Sequence, residues 1–158
     1  MLWPRMLEPL TRPLFQARAR WTRGLTLGVR GLVRDAEGRV LLLKHTYTPG
    51  WHMPGGGVER GETGEAALAR EMIEEAGVEL TSRPRLLSIH SSHASFRGDH
   101  ILFFQADDWR QVAATSRGEI HAVEWFAPDA LPRDATRGTR ARIAEALSAG
   151  DAPPDPMW

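Results

Sequence analysis

The apolar residues of this chain fall in short runs separated by polar turns. Residues 25–33 and 39–45 are apolar-rich. They flank Asp35-Ala36-Glu37-Gly38, a turn signal, and so predict a β-hairpin. Residues 66–76 hold no proline and few β-branched side chains, which favours helix. Thr63 is placed to cap that helix, Glu65 suits its positive end, and Gly77 is a left-handed stop. At about 100° per residue, Ala66, Ala69, Met72, Ile73 and Ala76 share one arc and are expected to face a core. Glu71, Glu74 and Glu75 share another.

Further strands are expected at residues 86–91, 101–106 and 119–126, the last alternating Ile120 and Ala122 with His121 and Glu124. Residues 140–149 predict a helix with Ile143 and Leu147 on one stripe and Gly150 as its stop. Strands before and after a central helix, with a second helix late in the chain, give a layered α/β or α+β domain over residues 24–150. Residues 1–23 form a separate extension, in which Leu7, Leu10 and Leu14 keep helical spacing but Pro9 and Pro13 interrupt it. It reads as an amphipathic segment packing on its own domain or on a second subunit. Residues 151–158 hold three prolines and are expected to form a loose tail.

Composition narrows the functions. Twenty basic and twenty acidic residues leave no net charge, so neither polymeric nucleic acid nor a membrane surface is an expected partner. The absence of cysteine excludes disulfides, thiolate metal sites and a cysteine nucleophile, and fits the cytoplasm. The apolar runs are far too short to cross a bilayer.

The acidic arc carries the chemistry. Two carboxylates about 6 Å apart at an effective dielectric of 20 repel by about 3 kcal/mol. A solvated surface relieves that repulsion, and a hard divalent cation reverses it. Just upstream, Trp51-His52-Met53-Pro54-Gly55-Gly56-Gly57 offers a backbone that can approach a phosphate or a metal closely. Three histidines, His90, His93 and His100, follow at spacings that match no zinc pattern.

Taken together, residues 56–78 read Gly56, five residues, Glu62, seven residues, then Arg70-Glu71-Met72-x-Glu74-Glu75-x-Gly77-Val78. This resembles the signature box of the Nudix hydrolases, with every fixed position filled. The resemblance implies an α/β; Nudix-like α/β/α sandwich with a mixed β-sheet, the box forming a loop-helix-loop. It also implies hydrolysis of the diphosphate linkage in a nucleoside diphosphate joined to some group X, a small-molecule substrate. Glu71, Glu74 and Glu75 would then ligate Mg²⁺ or Mn²⁺, with the carbonyl of Gly55 alongside them. The general base stays open between Glu71 and another glutamate. Arg70 would orient the box carboxylates and Glu62 would brace the loop. Relatives often add one acidic residue from a later strand or loop, for which Glu119 is the choice and Glu124 the alternative. Tyr47, Trp51, His52 and Phe96 are candidates for stacking on a base. Homodimers are common in the family, which makes residues 1–23 a candidate subunit contact. Two other classes stay open: a nucleotide-sensing module without turnover, and an interaction protein with an acidic docking face.

Overall fold

The computed structural model describes residues 24–115, 118–148 and 154–158. The expectations for residues 1–23 and for a helix stop at Gly150 lie outside the described residues. In chain order the elements are β1 (Thr26–Val33), β2 (Val40–His45), β3 (Trp51–His52), α1 (Gly64–Ala76), β4 (Val78–Leu80), β5 (Arg85–Ser91), β6 (Asp99–Ala106), β7 (Trp109–Gln111), β8 (Ile120–Phe126) and α2 (Arg137–Leu147).

Strand β1 is apolar on both faces, with Val29, Leu32 and Val33 buried, as a strand covered on both sides must be. It runs parallel to β6, from Thr26 opposite Asp99 to Val33 opposite Ala106. Strand β6 pairs antiparallel with β5, so this sheet is mixed. A second sheet has the order β3-β2-β8, and β4 pairs with β7.

The predicted β1–β2 hairpin does not form. The turn is present: Asp35 Oδ1 accepts from the Glu37 and Arg39 amides at 3.1 and 2.8 Å. Of the pairing, however, only an Arg34–Val40 bridge is seen. The reason is competition for an edge. The Val29 and Gly31 amides donate to the Gly56 and Pro54 carbonyls at 2.8 and 3.0 Å, and the Val58 amide donates to Leu27 at 2.8 Å. The glycine-rich loop therefore occupies the side of β1 that β2 would need, and β2 goes to the other sheet.

Side chains alternate across the sheets and build two cores. On one side Val29, Val33, Leu41 and Phe104 meet Leu68, Met72 and Ala76 of α1. On the other Leu32, Val40, Leu42 and Phe103 meet Trp51 and Ile143 of α2. Helix, sheet and helix thus form three layers, the α/β/α sandwich expected.

The local signals of α1 hold. Thr63 accepts from the Ala66 amide at 3.2 Å, and Gly77 closes the helix at φ 61°. The buried arc differs from the expected one: it runs through Ala67, Leu68, Met72, Glu75 and Ala76, while Ala66 is exposed. The cause is the approach to β1, because a Cβ on Gly31 would run into the Met72 methyl group and lie 2.9 Å from Leu68. Seating Leu68 and Met72 over Gly31 rolls Glu75 inward.

Helix α2 starts earlier than expected, capped by Thr136, and ends with Ser148. Ile143 is buried, but Leu147 is exposed; Gly138, Thr139 and Arg142 supply the rest of the inner face. Residues 154–158 are docked rather than loose. The Ser91 amide donates to Pro156 at 2.8 Å and the Trp158 amide to Ser91 at 2.9 Å. The Trp158 ring stands edge-on to His90 and Phe103, and a Cβ on Gly138 would collide with it.

Candidate active site

Loop 54–58 and α1 are joined where the box carboxylates meet the backbone. The Gly55 amide donates to Glu75 Oε2 at 2.9 Å, where both are buried. Gly55 holds φ +138°, and a Cβ there would fall on the Val29 carbonyl, so no other residue type fits. Next to it, a Cβ on Gly56 would overlap the Glu71 carboxylate. The glycines thus let two box carboxylates lie against the backbone.

These groups open into a cleft of about 300 Å³, lined by Arg30, His45, Tyr47, Glu71, Glu75 and Glu119 among others. Glu75 is 8 % exposed. Burial, reinforced by Glu71 and Glu119, pushes its carboxyl up to about 7 against the pull of the Gly55 amide and Arg30. His45 Nε2 stands 3.8 Å from Glu75 Oε1. Burial, with His52 and Arg30 adding repulsion, holds the His45 imidazole below its ordinary value. His52 is lowered chiefly by burial too, and its Nε2 donates to the Pro49 carbonyl at 3.0 Å.

Arg70 ties the outer side of the box. Its Nε and Nη2 donate to the two Glu62 oxygens at 3.0 and 3.1 Å, a bidentate pair. Nη1 donates to Glu71 at 2.7 Å and Glu74 at 3.3 Å, and Nη2 also reaches the Gly57 carbonyl at 3.0 Å. Arg70 lowers the Glu62 carboxyl, through a hydrogen bond first and charge second.

The candidate residues divide accordingly. Gly55, Glu71, Glu75 and Glu119 line one cleft. Glu74 is not among the residues lining it; its carboxylate turns to Arg70 and is 42 % exposed. Glu119 sits at the entry to β8, where the Thr46 amide holds its carbonyl at 2.9 Å, while Glu124 is exposed farther along the strand, opposite Leu42. Of the stacking candidates, Tyr47 and His52 line the cleft; Trp51 is buried against Phe126, and Phe96 does not line the cleft. The histidines do not converge: His90 is buried beside Arg142, and His93 accepts from the Gly98 amide.

Two cleft residues carry no signal in the box. Arg30 lies inside a buried strand, where a lone arginine in an apolar run is the only mark in the sequence. His45 closes β2.

The donor set fits a hard divalent cation. Glu71, Glu75 and Glu119 line one cleft in which burial first, and the charges of Glu71 and Glu119 after it, raise the Glu75 carboxyl, a cost that a cation among these oxygens would relieve. Among the described residues, no three acidic or histidine side chains are gathered closely enough to form a metal-binding group, and Arg70 engages Glu71 and Glu74.

The NUDIX domain model matches residues 24–147. A MutT-like protein of Streptomyces ambofaciens is 30% identical over 122 residues, which are 77% of each chain. A putative 8-oxo-dGTP diphosphatase of Bacillus subtilis is 30% identical over 107 residues, 68% of this chain and 70% of that one. The crystal structure of a MutT NUDIX hydrolase from Burkholderia pseudomallei superposes with a TM-score of 0.67 at 29% identity, covering 77% of this chain and 98% of that one. The chain belongs to the Nudix family, and it is a pyrophosphohydrolase of the Nudix type.

Proposed function

We propose that this cleft cleaves the phosphoanhydride bond of a nucleoside diphosphate linked to X. Nucleoside triphosphates are the first class to consider, because the relatives include a MutT-like protein and a putative 8-oxo-dGTP diphosphatase. The observation that carries the reading is the convergence of Glu71, Glu75 and Glu119 on a glycine-rich loop whose Gly55 amide holds Glu75.

Glu71 and Glu75 would hold Mg²⁺ or Mn²⁺ from the helix, the Gly55 carbonyl from the loop, and Glu119 from the opposite wall. Such an ion supplies charge neutralisation at the phosphorus and acidifies bound water. The remaining work belongs to the chain. A cleft carboxylate accepts the proton of the attacking water, a new P–O bond forms, and the anhydride P–O bond breaks with release of the phosphate or pyrophosphate group. Arg70 fixes Glu71 through its Nη1, and Glu62 fixes Arg70 in turn. Glu74 would reach the metal from the outer side of the box, through the carboxylate oxygen that Arg70 does not engage.

The test is a product screen over nucleoside triphosphates, dinucleotides and nucleotide sugars with Mg²⁺ or Mn²⁺, run beside Glu75→Gln. Metal-dependent release of a nucleotide product that Glu75→Gln lowers by at least about a thousandfold is the expected result. Nucleotide binding without turnover in both proteins would instead make this a sensing module.

A further inference from the structure

Arg30 is the unusual residue of β1. Its neighbours Val29, Leu32 and Val33 are buried, and its partner across the parallel pair is Phe103, also buried. Among the described residues Arg30 forms no ion pair, and its single hydrogen bond is a long one, 3.4 Å to the Val29 carbonyl. A half-buried guanidinium with so little compensation costs stability where it stands. The charges of Glu75 and Glu71 across the cleft offset that burial only in part.

Its position supplies a reason to keep it. Arg30 lines the acidic cleft and also a second cleft of about 240 Å³ that continues along β1 toward Thr26 and Asp99; Gly56 and Gly57 are the other residues common to both. Among the described residues lining the acidic cleft it is the one arginine or lysine. A planar fork of donors, unpaired and set between two clefts, matches the oxygens of a phosphoryl group.

Building on the hydrolase reading above, the geometry points to Arg30 as a substrate-binding residue that grips the diphosphate where the two clefts meet. It makes the site select a diphosphate over a phosphate monoester. The nucleotide phosphates would lie among the carboxylates, with the group beyond Arg30 in the second cleft.

The probe is methylenediphosphonate, a diphosphate mimic that has no base and resists cleavage, titrated calorimetrically in Mg²⁺ against the full chain. Arg30→Met is expected to weaken binding by about ten- to a hundredfold, the range for hydrogen bonds to charged groups. Arg30→Lys keeps the charge without the fork and should lose less. Methylphosphonate, with one phosphoryl group, should bind weakly to all forms and distinguish them little. Thermal unfolding in saturating Mg²⁺, where the metal balances the carboxylates that Arg30 otherwise faces, should be no lower for Arg30→Met than for wild type; a structural role would lower it. If Arg30→Met binds the probe as tightly as wild type while Glu75→Gln binds it more weakly, the assignment of Arg30 is wrong and the hydrolase reading stands. If Arg30→Met weakens binding but Glu75→Gln and removal of Mg²⁺ do not, Arg30 is an anion site and the metal cleft is misread. A wild-type protein that ignores the probe overturns both.

Discussion

Glu75 is held by the Gly55 amide at 2.9 Å, although twenty residues separate them in sequence. That bond joins the glycine-rich loop to α1 at the point where the carboxylates meet. It favours the ionised carboxyl, yet burial and the neighbouring carboxylates outweigh it and leave the group near 7.

The pH dependence of stability follows from that imbalance. A carboxyl raised in the folded state binds more protons folded than unfolded over the interval from about 4.5 to 7. Stability therefore falls as pH rises through that interval, by a few kcal/mol at most. Urea denaturation in chelator at pH 5 and pH 8 should show Glu75→Gln gaining on wild type at the higher pH. Saturating Mg²⁺ should remove the gain. Equal differences at both pH values would mean that Glu75 is not perturbed.

Gly56→Ala places a methyl group on the Glu71 carboxylate. The flexible side chain can yield, so the fold is expected to survive with a loss of about 1 kcal/mol or less. The displaced carboxylate should lower turnover by about a hundredfold, the scale of a misplacement near 1 Å. Activity and chemical denaturation measured on one preparation separate the two effects. Loss of both together would make Gly56 a folding residue only.

Arg70→Lys tests whether geometry or charge matters at the outer side of the box. Lysine cannot reproduce the two parallel bonds to Glu62 while holding Glu71 and the Gly57 carbonyl. Arg70→Lys and Arg70→Ala should therefore lose activity to a similar extent, at least about tenfold. Arg70→Ala should also cost about 1–2 kcal/mol, a value reduced by partial exposure of the pair. A fully active lysine variant would show that charge alone suffices.

Trp158→Ala should uncover the buried His90 and Arg142 side chains and cost about 3 kcal/mol, as large aromatic truncations do. The acidic cleft is built from other elements, so turnover at a temperature where the variant is folded should stay within about twofold of wild type. Denaturation midpoints and steady-state rates decide this. An unchanged midpoint would show that residues 154–158 do not brace α2.

Much of this was legible in the chain because the signals were local. Thr63 and Gly77 mark the ends of α1 through bonds within one helical turn, and the box residues owe their meaning to fixed spacing on that helix. Glu119 stands out in the sequence as an acid shortly before the Trp125-Phe126 end of an expected strand, and it lines the cleft from the entry of β8. The strand pairing was not. Asp35 to Gly38 makes the turn of a hairpin, but the partner of β1 is chosen by a loop some twenty residues later. The roll of α1 depends on the space above Gly31, a contact between distant residues. Arg30 escaped notice because its role depends on two clefts that exist only after β1, loop 54–58 and β6 have come together. The docking of residues 154–158 depends in the same way on Ser91 and Gly138.

The bonds from loop 54–58 to β1 also restrict how the gene can change. Val29, Gly31 and Leu27 pair with Gly56, Pro54 and Val58 in strict alternation. An insertion or deletion of one residue between Pro54 and Val58 would shift the loop against the strand, turn alternate groups to the wrong side and carry Gly55 away from Glu75. The turn at Gly38 has no such partner, and open space surrounds it. Length variation among descendants of this chain should therefore collect at Asp35–Gly38 and spare the segment 54–58.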